Sequence, residues 1–189
     1  MLIAFHKPFG FLSQFTLPAG SRWNTLAAFG FPPSVYPIGR LDADSEGLLL
    51  LSDEPSLNQR LLHPRQGHPR EYWVQVEGVP TEAALKALSV SMVIQSQKRR
   101  AGHARLLTPQ PQIAPRDPPI RFRKHIPDCW IALELTEGKN RQVRRMTAAA
   151  GHPTLRLIRV RLGGLLLGNL APGQWKRLSP AERAALLEY

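Results

Sequence analysis

The sequence predicts an α+β fold. Three features carry that reading: stretches that alternate apolar and polar residues as strands do, Ala- and Leu-rich stretches with helical spacing, and an order of the two that never repeats as βαβ units. At 189 residues, with 43% hydrophobic and 21% charged residues, the chain is long enough to bury a core of its own as one domain over residues 1–189.

The elements follow in order. Residues 2–15, LIAFHKPFGFLSQF, alternate around a Lys-Pro-x-Gly break and read as strand, turn, strand. SRWNTLAAFG, ended by Gly30, reads as a short helix, and FPPSVYP as irregular, because its prolines remove backbone donors. GLLLL is short and wholly apolar, as a buried strand is, and EPSLNQRLLHP has a proline near the start of a helical pattern. EYWVQVEG alternates as a strand and TEAALKALSV reads as a helix. Residues 96–128 combine prolines with arginines and read as a long loop or insertion with short extended pieces. WIALELTEG is then a strand, NRQVRRMTAAAG a helix closed by Gly151, and LRLIRVRLGGLLL a strand pair broken at Gly163 and Gly164.

The net charge of +11 and pI near 10.8 point to a polyanionic partner. The charge is uneven. Four basic and five acidic residues precede residue 61, while 21 basic and nine acidic residues follow it. The basic residues lie in Pro-broken and strand-like segments and not on amphipathic helices, which favours nucleic acid over a membrane surface. The single cysteine, Cys129, excludes an intramolecular disulfide framework. No run of about 18 apolar residues occurs, and the N-terminus lacks the charged region and cleavage site of a signal peptide, so a cytoplasmic location is expected.

The stretch YPIGRLDADSEGLLLLSD, residues 36–53, admits more than one chemistry. D-A-D-S-E-G approaches a calcium loop, but Pro37 and Gly39 break the helix that should enter it, and Leu48 to Leu51 belong in a core. A phosphotransfer aspartate would follow a hydrophobic strand directly, and Gly39-Arg40-Leu41 supplies none. The third reading gives one acid to catalysis in a loop ahead of a buried strand, with Asp44 and Glu46 holding the loop. A carboxylate kept ionised in a partly desolvated pocket needs a cation nearby, and NRQVRRM offers Arg141, Arg144 and Arg145. The residues alone thus give a carboxylate, an arginine-rich helix and an RNA or DNA partner.

Several stretches together resemble the pseudouridine synthases, in the branch of RsuA and its large-subunit relatives. GRLDADSEGLLLLSDE is similar to the signature around their catalytic aspartate, KPFGFLSQF to their opening strand, REYWVQVEG to their tyrosine-bearing strand, and EGKNRQVRRM with LRLIRVRLG to their two C-terminal motifs. Order and spacing agree from about residue 2 to residue 178. The absence of an S4 domain and the segment PRDPPIRFRKHIPDCW look most like the RluE group. His6, Ser45 and Arg70 depart from the residues that relatives usually carry, Asn, Thr and Lys.

The resemblance implies two subdomains around a mixed, largely antiparallel sheet with a basic central cleft. It implies isomerisation of uridine to pseudouridine in 23S ribosomal RNA, free or in an assembling large subunit, with the base flipped out and with no cofactor or metal. Asp42 would be the catalytic aspartate, Tyr72 would pack on the flipped uracil, and Arg144 would pair with Asp42. Arg40 would enter the RNA stack. Lys7, Lys139, Arg141, Arg145, Arg121 and Arg123 complete the expected RNA-binding set, and the segment 98–127 would contribute to recognition. A monomer is expected. The competing class is a non-catalytic rRNA-binding or ribosome-assembly protein on the same fold.

Overall fold

The computed structural model describes residues 1–63, 67–94, 97–99, 102–120 and 126–188, so Arg121 and Arg123 lie outside the described residues. The chain divides into two compact units. The first comprises residues 1–68 and 158–189, the second residues 69–157.

In the first unit, β1 (Leu2–Lys7) and β3 (Glu46–Ser52) pair antiparallel, with Ile3 opposite Leu51 and Phe5 opposite Leu49. Leu48, Leu49, Leu50 and Leu51 are fully buried, because a strand covered on both faces is apolar at every position. Each contributes roughly 1.5–3 kcal/mol of burial. β2 (Tyr36–Ile38) pairs with β3 at Tyr36 and Ser52 and places Pro37 in a short strand of three residues. β11 (Trp175–Arg177) covers the other edge of β1. α1 (Ser56–Leu62) buries Leu57 and Leu61. α4 (Pro180–Leu187) opens on a capping box in which Ser179 and Glu182 exchange side-chain and backbone bonds. Phe5, Phe29 and Phe31 form an aromatic cluster, with centroids 4.7 Å apart for Phe5 and Phe29 and 5.0 Å for Phe5 and Phe31.

The second unit is built on β4 (Arg70–Glu77) and β8 (Asp128–Leu135), antiparallel along eight residues each, from Arg70 opposite Leu135 to Glu77 opposite Asp128. β7 (His103–Leu106) adds to β8, and β5 (Met92–Ile94) with β6 (Gln97–Arg99) makes a separate hairpin. α2 (Glu82–Leu88) is capped by Thr81, whose hydroxyl accepts from the Ala84 amide. α3 is Gln142–Ala149.

β9 (Thr154–Leu162) begins in the second unit and ends in the first, where Glu46 and Gly47 of β3 pair with it in parallel; β10 (Leu165–Leu166) folds back on it. Among the described residues the main sheet has nine strands and is mixed, with this parallel pair among antiparallel ones. The α+β class is the one the sequence predicts.

Two expectations differ from the structure. The return strand expected after the Lys-Pro-x-Gly break, up to residue 15, is reduced to a bridge between Phe11 and Asn24, because the Leu12 amide donates to the Asn24 carbonyl and the Asn24 amide to the Gly10 carbonyl. The helix expected at residues 21–30 shrinks to a 3-10 turn, Leu26–Phe29, ended by Gly30 in the left-handed conformation. Among the short extended pieces expected within 96–128 is His103–Leu106, an edge strand that is mostly exposed.

Candidate active site

In the first unit the loop carrying Asp42 is fixed from three sides. One residue ahead, the buried hydroxyl of Ser13 accepts from the Leu41 amide at 3.0 Å and donates to the Leu41 carbonyl at 2.8 Å. One residue behind, the Ala43 carbonyl accepts from the Gly10 amide at 2.8 Å and from Lys7 Nζ at 3.5 Å. The loop closes on itself through the Ser45 amide, which donates to the Asp42 carbonyl at 3.0 Å. The Asp42 side chain is half-buried. Behind it, Gly47 sits at φ +101°, and a Cβ there would come within 2.3 Å of the Arg159 carbonyl oxygen, so only glycine lets β9 approach β3 this closely. Arg159 Nε donates to the Leu48 carbonyl at 2.7 Å on the same strand. The signature around Asp42 therefore codes a rigid turn as much as a carboxylate.

Lys7 is placed otherwise than expected. Its side chain is fully buried, and its ammonium donates to the carbonyls of Phe11 at 2.7 Å, Pro8 at 3.0 Å and Ala43 at 3.5 Å. It braces the Asp42 loop from inside and presents no surface to RNA. Burial pushes its pKa down to about 7, against the opposing pull of Glu46, Asp44 and Asp42. Arg40, two residues before Asp42, is exposed.

In the second unit, β4 alternates: Arg70, Tyr72, Val74 and Val76 are on its buried face and Glu71, Trp73, Gln75 and Glu77 on the other. Tyr72 is 9% exposed and stands opposite Leu133. Two residues back, the Arg70 guanidinium lies against Gly138, with its carbon 3.7 Å from where a Cβ of Gly138 would be. The Gly138 loop leads into α3 and is held by Gln142, 3% exposed: its amide nitrogen donates to Glu137 at 2.7 Å and its oxygen accepts from the Lys139 amide at 3.1 Å.

Arg141 is bent into the left-handed region at φ 48°, ψ 32°, and is exposed. Lys139 is exposed and pairs with Glu137 at 3.3 Å. Arg144 and Arg145 are half-buried in the first turns of α3, and Arg145 donates to Asn140 Oδ1 at 3.1 Å. A non-glycine residue held at positive φ costs on the order of 1 kcal/mol and persists where its surroundings over-determine it. Here Gln142 supplies that constraint.

The structure thus places Arg40, Asp42 and Lys7 in the first unit and Tyr72, Lys139, Arg141, Arg144 and Arg145 in the second. Sequence reasoning missed Ser13 and Gln142. Both stand inside motifs, but no linear signal shows that the Ser13 hydroxyl reaches across 28 positions to Leu41. Among the described residues no group of three or more His, Cys, Asp or Glu could hold a metal ion, and no helix is long and apolar enough to cross a membrane.

Comparison with known proteins bears on this arrangement. A family model described as RNA pseudouridylate synthase matches residues 1–149. "Ribosomal large subunit pseudouridine synthase E" of Xanthomonas campestris pv. campestris is 51% identical over 176 residues, spanning 93% of this chain and 94% of that protein. The protein of the same name from Vibrio vulnificus is 46% identical over 178 residues, spanning 94% of this chain and 75% of its own. A solved structure described as "Crystal structure of pseudouridylate synthase" has the same fold, with a TM-score of 0.78 at 23% identity over 98% of this chain and 73% of that one. With its aspartate-bearing turn, its tyrosine strand and its arginine helix inside a family match of this extent, the chain belongs to the RNA pseudouridylate synthase family.

Proposed function

We propose that the protein isomerises a uridine of 23S ribosomal RNA to pseudouridine, with Asp42 as the catalytic carboxylate. The observation that carries this is the immobilised turn: Leu41 and Ala43, on either side of Asp42, have their backbone groups bonded to Ser13, Gly10 and Lys7. Relatives named as large-subunit pseudouridine synthases support the choice of substrate.

In the reaction the bond between ribose C1′ and uracil N1 breaks and one between C1′ and C5 forms. The proton at C5 leaves and N1 gains one, so the step is redox-neutral. A carboxylate held still can serve as nucleophile or base without reorganising its loop. The uracil must leave its stack to be reached, which makes base flipping part of the proposal. Tyr72 is proposed to pack on the uracil and assist removal of the C5 proton, and Arg144 to complete the catalytic set. Arg40, Lys139, Arg141 and Arg145 are the proposed contacts to RNA, to which the net charge of +11 adds long-range attraction. Lys7 is proposed as a brace of the loop.

Tritium release from 23S RNA labelled at uracil C5, measured in EDTA for the wild type and Asp42→Asn, tests this reading. Release by the wild type and none by the variant is expected. Tight RNA binding with no release by either would favour an RNA-binding protein on the same fold.

A further inference from the structure

The segment that donates the Gly10 amide to the Asp42 loop also holds an exposed arginine over an indole. The guanidinium carbon of Arg22 lies 4.5 Å from the centroid of the Trp23 ring. Phe9 meets the same ring edge-on, with centroids 5.8 Å apart and planes at 84°, which fixes how the indole stands. Arg22 is exposed, while Trp23 and Phe9 are half-buried. Asn24, next in sequence, donates to the Gly10 carbonyl at 3.0 Å, and the Gly10 amide donates to the Ala43 carbonyl at 2.8 Å. These two bonds join the backbone next to Trp23, through Gly10, to the backbone beside Asp42.

We propose that Arg22 and Trp23 form a stacking platform for an unpaired base of the substrate RNA, adjacent to the uridine that Asp42 acts on. This rests on the reading of the protein as an RNA-modifying enzyme. The chemistry selects the ligand. A ring already covered by the protein's own cation is not a cage for a ligand cation. Among the described residues Arg22 has no carboxylate partner, so its charge is available to the phosphate that accompanies each base. Indole and guanidinium planes both stack on bases, and stacking tolerates any sequence. Extrusion of the target uridine removes a stacking partner from its neighbour, and a platform joined to the Asp42 loop through Gly10 replaces it.

The test compares Trp23→Ala, Trp23→Phe, Arg22→Ala and Arg22→Lys with the wild type, all in the Asp42→Asn background for binding to 23S RNA and in the native background for tritium release. Trp23→Ala is expected to weaken binding about tenfold or more, Trp23→Phe about threefold or less, and Arg22→Ala by several-fold without rescue by lysine, which lacks the plane. RNA should quench the fluorescence of the wild type more than that of Trp23→Phe. Should Trp23→Ala fail to fold by circular dichroism, the exposed Arg22 variants and the quenching decide. Affinities of all folded variants within twofold of the wild type, with no difference in quenching, would overturn the platform. If the native protein releases no tritium, the enzymatic reading fails instead, and the platform is judged on binding alone.

Discussion

Ser13 closes both backbone groups of Leu41, accepting from its amide at 3.0 Å and donating to its carbonyl at 2.8 Å, one residue ahead of Asp42. Both residues are buried, so Ser13→Ala leaves a donor and an acceptor without water to replace the hydroxyl. A loss of about 1–3 kcal/mol in unfolding free energy is expected in urea titration. Because the clamp sits beside the carboxylate, kcat for tritium release should fall while KM for RNA stays near the wild-type value. A folded Ser13→Ala with unchanged kcat would restrict the hydroxyl to a role in the fold.

Arg141 offers a way to separate stability from RNA binding. Its left-handed backbone, φ 48°, is a conformation glycine adopts without a Cβ clash. Arg141→Gly should therefore hold stability or raise it by up to about 1 kcal/mol. The same change removes an exposed guanidinium ahead of α3, so RNA affinity should fall and the slope of log K against log salt should lessen by about 1. Lys139→Ala should also flatten the salt slope, with no gain in stability. Loss of stability in Arg141→Gly, with the salt slope unaltered, would mean that the side chain serves the fold and not RNA.

How much of this was legible in the sequence depended on the range of the signal. The buried strand Glu46–Ser52 and the alternating strand Arg70–Glu77 were readable because their burial is written in every residue or every second one. The Pro- and Gly-broken entry argued against a calcium loop, whereas Asp42 was singled out among the three acids only by the family resemblance. The 3-10 turn at Leu26–Phe29 was misjudged as a longer helix because SRWN has adequate local propensity, whereas the bonds of Asn24 to Gly10 and Leu12 hold it extended. Lys7 looked like a surface cation, since nothing local shows that three carbonyls converge on it. Helix α4 was legible and overlooked: S-P-A-E at 179–182 is a capping-box signature with proline at the first turn.

Lys7 makes stability depend on alkaline pH. Its folded pKa of about 7 lies below the ordinary lysine value of 10.5, so between the two the unfolded chain binds more protons than the native one. Stability then rises with pH across that window, and below about 7 the cost of burying the ammonium is fully present. From pH 7 to pH 9 this group should add roughly 2 kcal/mol. In Lys7→Met the slope should vanish and the Phe11, Pro8 and Ala43 carbonyls should lose a donor. The stability difference between the wild type and Lys7→Met, followed by urea titration at pH 7 and pH 9, is expected to widen toward pH 9. A constant difference would show that Lys7 titrates at its ordinary value.

Glu54 gives the opposite dependence at the acid end. Arg183 of α4 grips its carboxylate with two bonds of 2.7 and 2.6 Å, and the Met1 amino group adds a third at 3.1 Å. Together they hold its pKa at about 2, below the ordinary glutamate value of 4.5. A depressed carboxylate contributes stability above its unfolded pKa and loses it as pH falls through its folded one, so the contribution is present above about 4.5 and gone near 2. Glu54 and Arg183 are each about a third exposed, at 34% and 36%, and water and salt screen the pair. The share to expect is therefore roughly 0.5–1 kcal/mol. Glu54→Gln should lower Tm by about 1–3 °C at pH 7, by less in 1 M salt, and not at all at pH 2. A Tm difference that persisted at pH 2 would mean that the glutamate acts through packing of α4 and not through its charge.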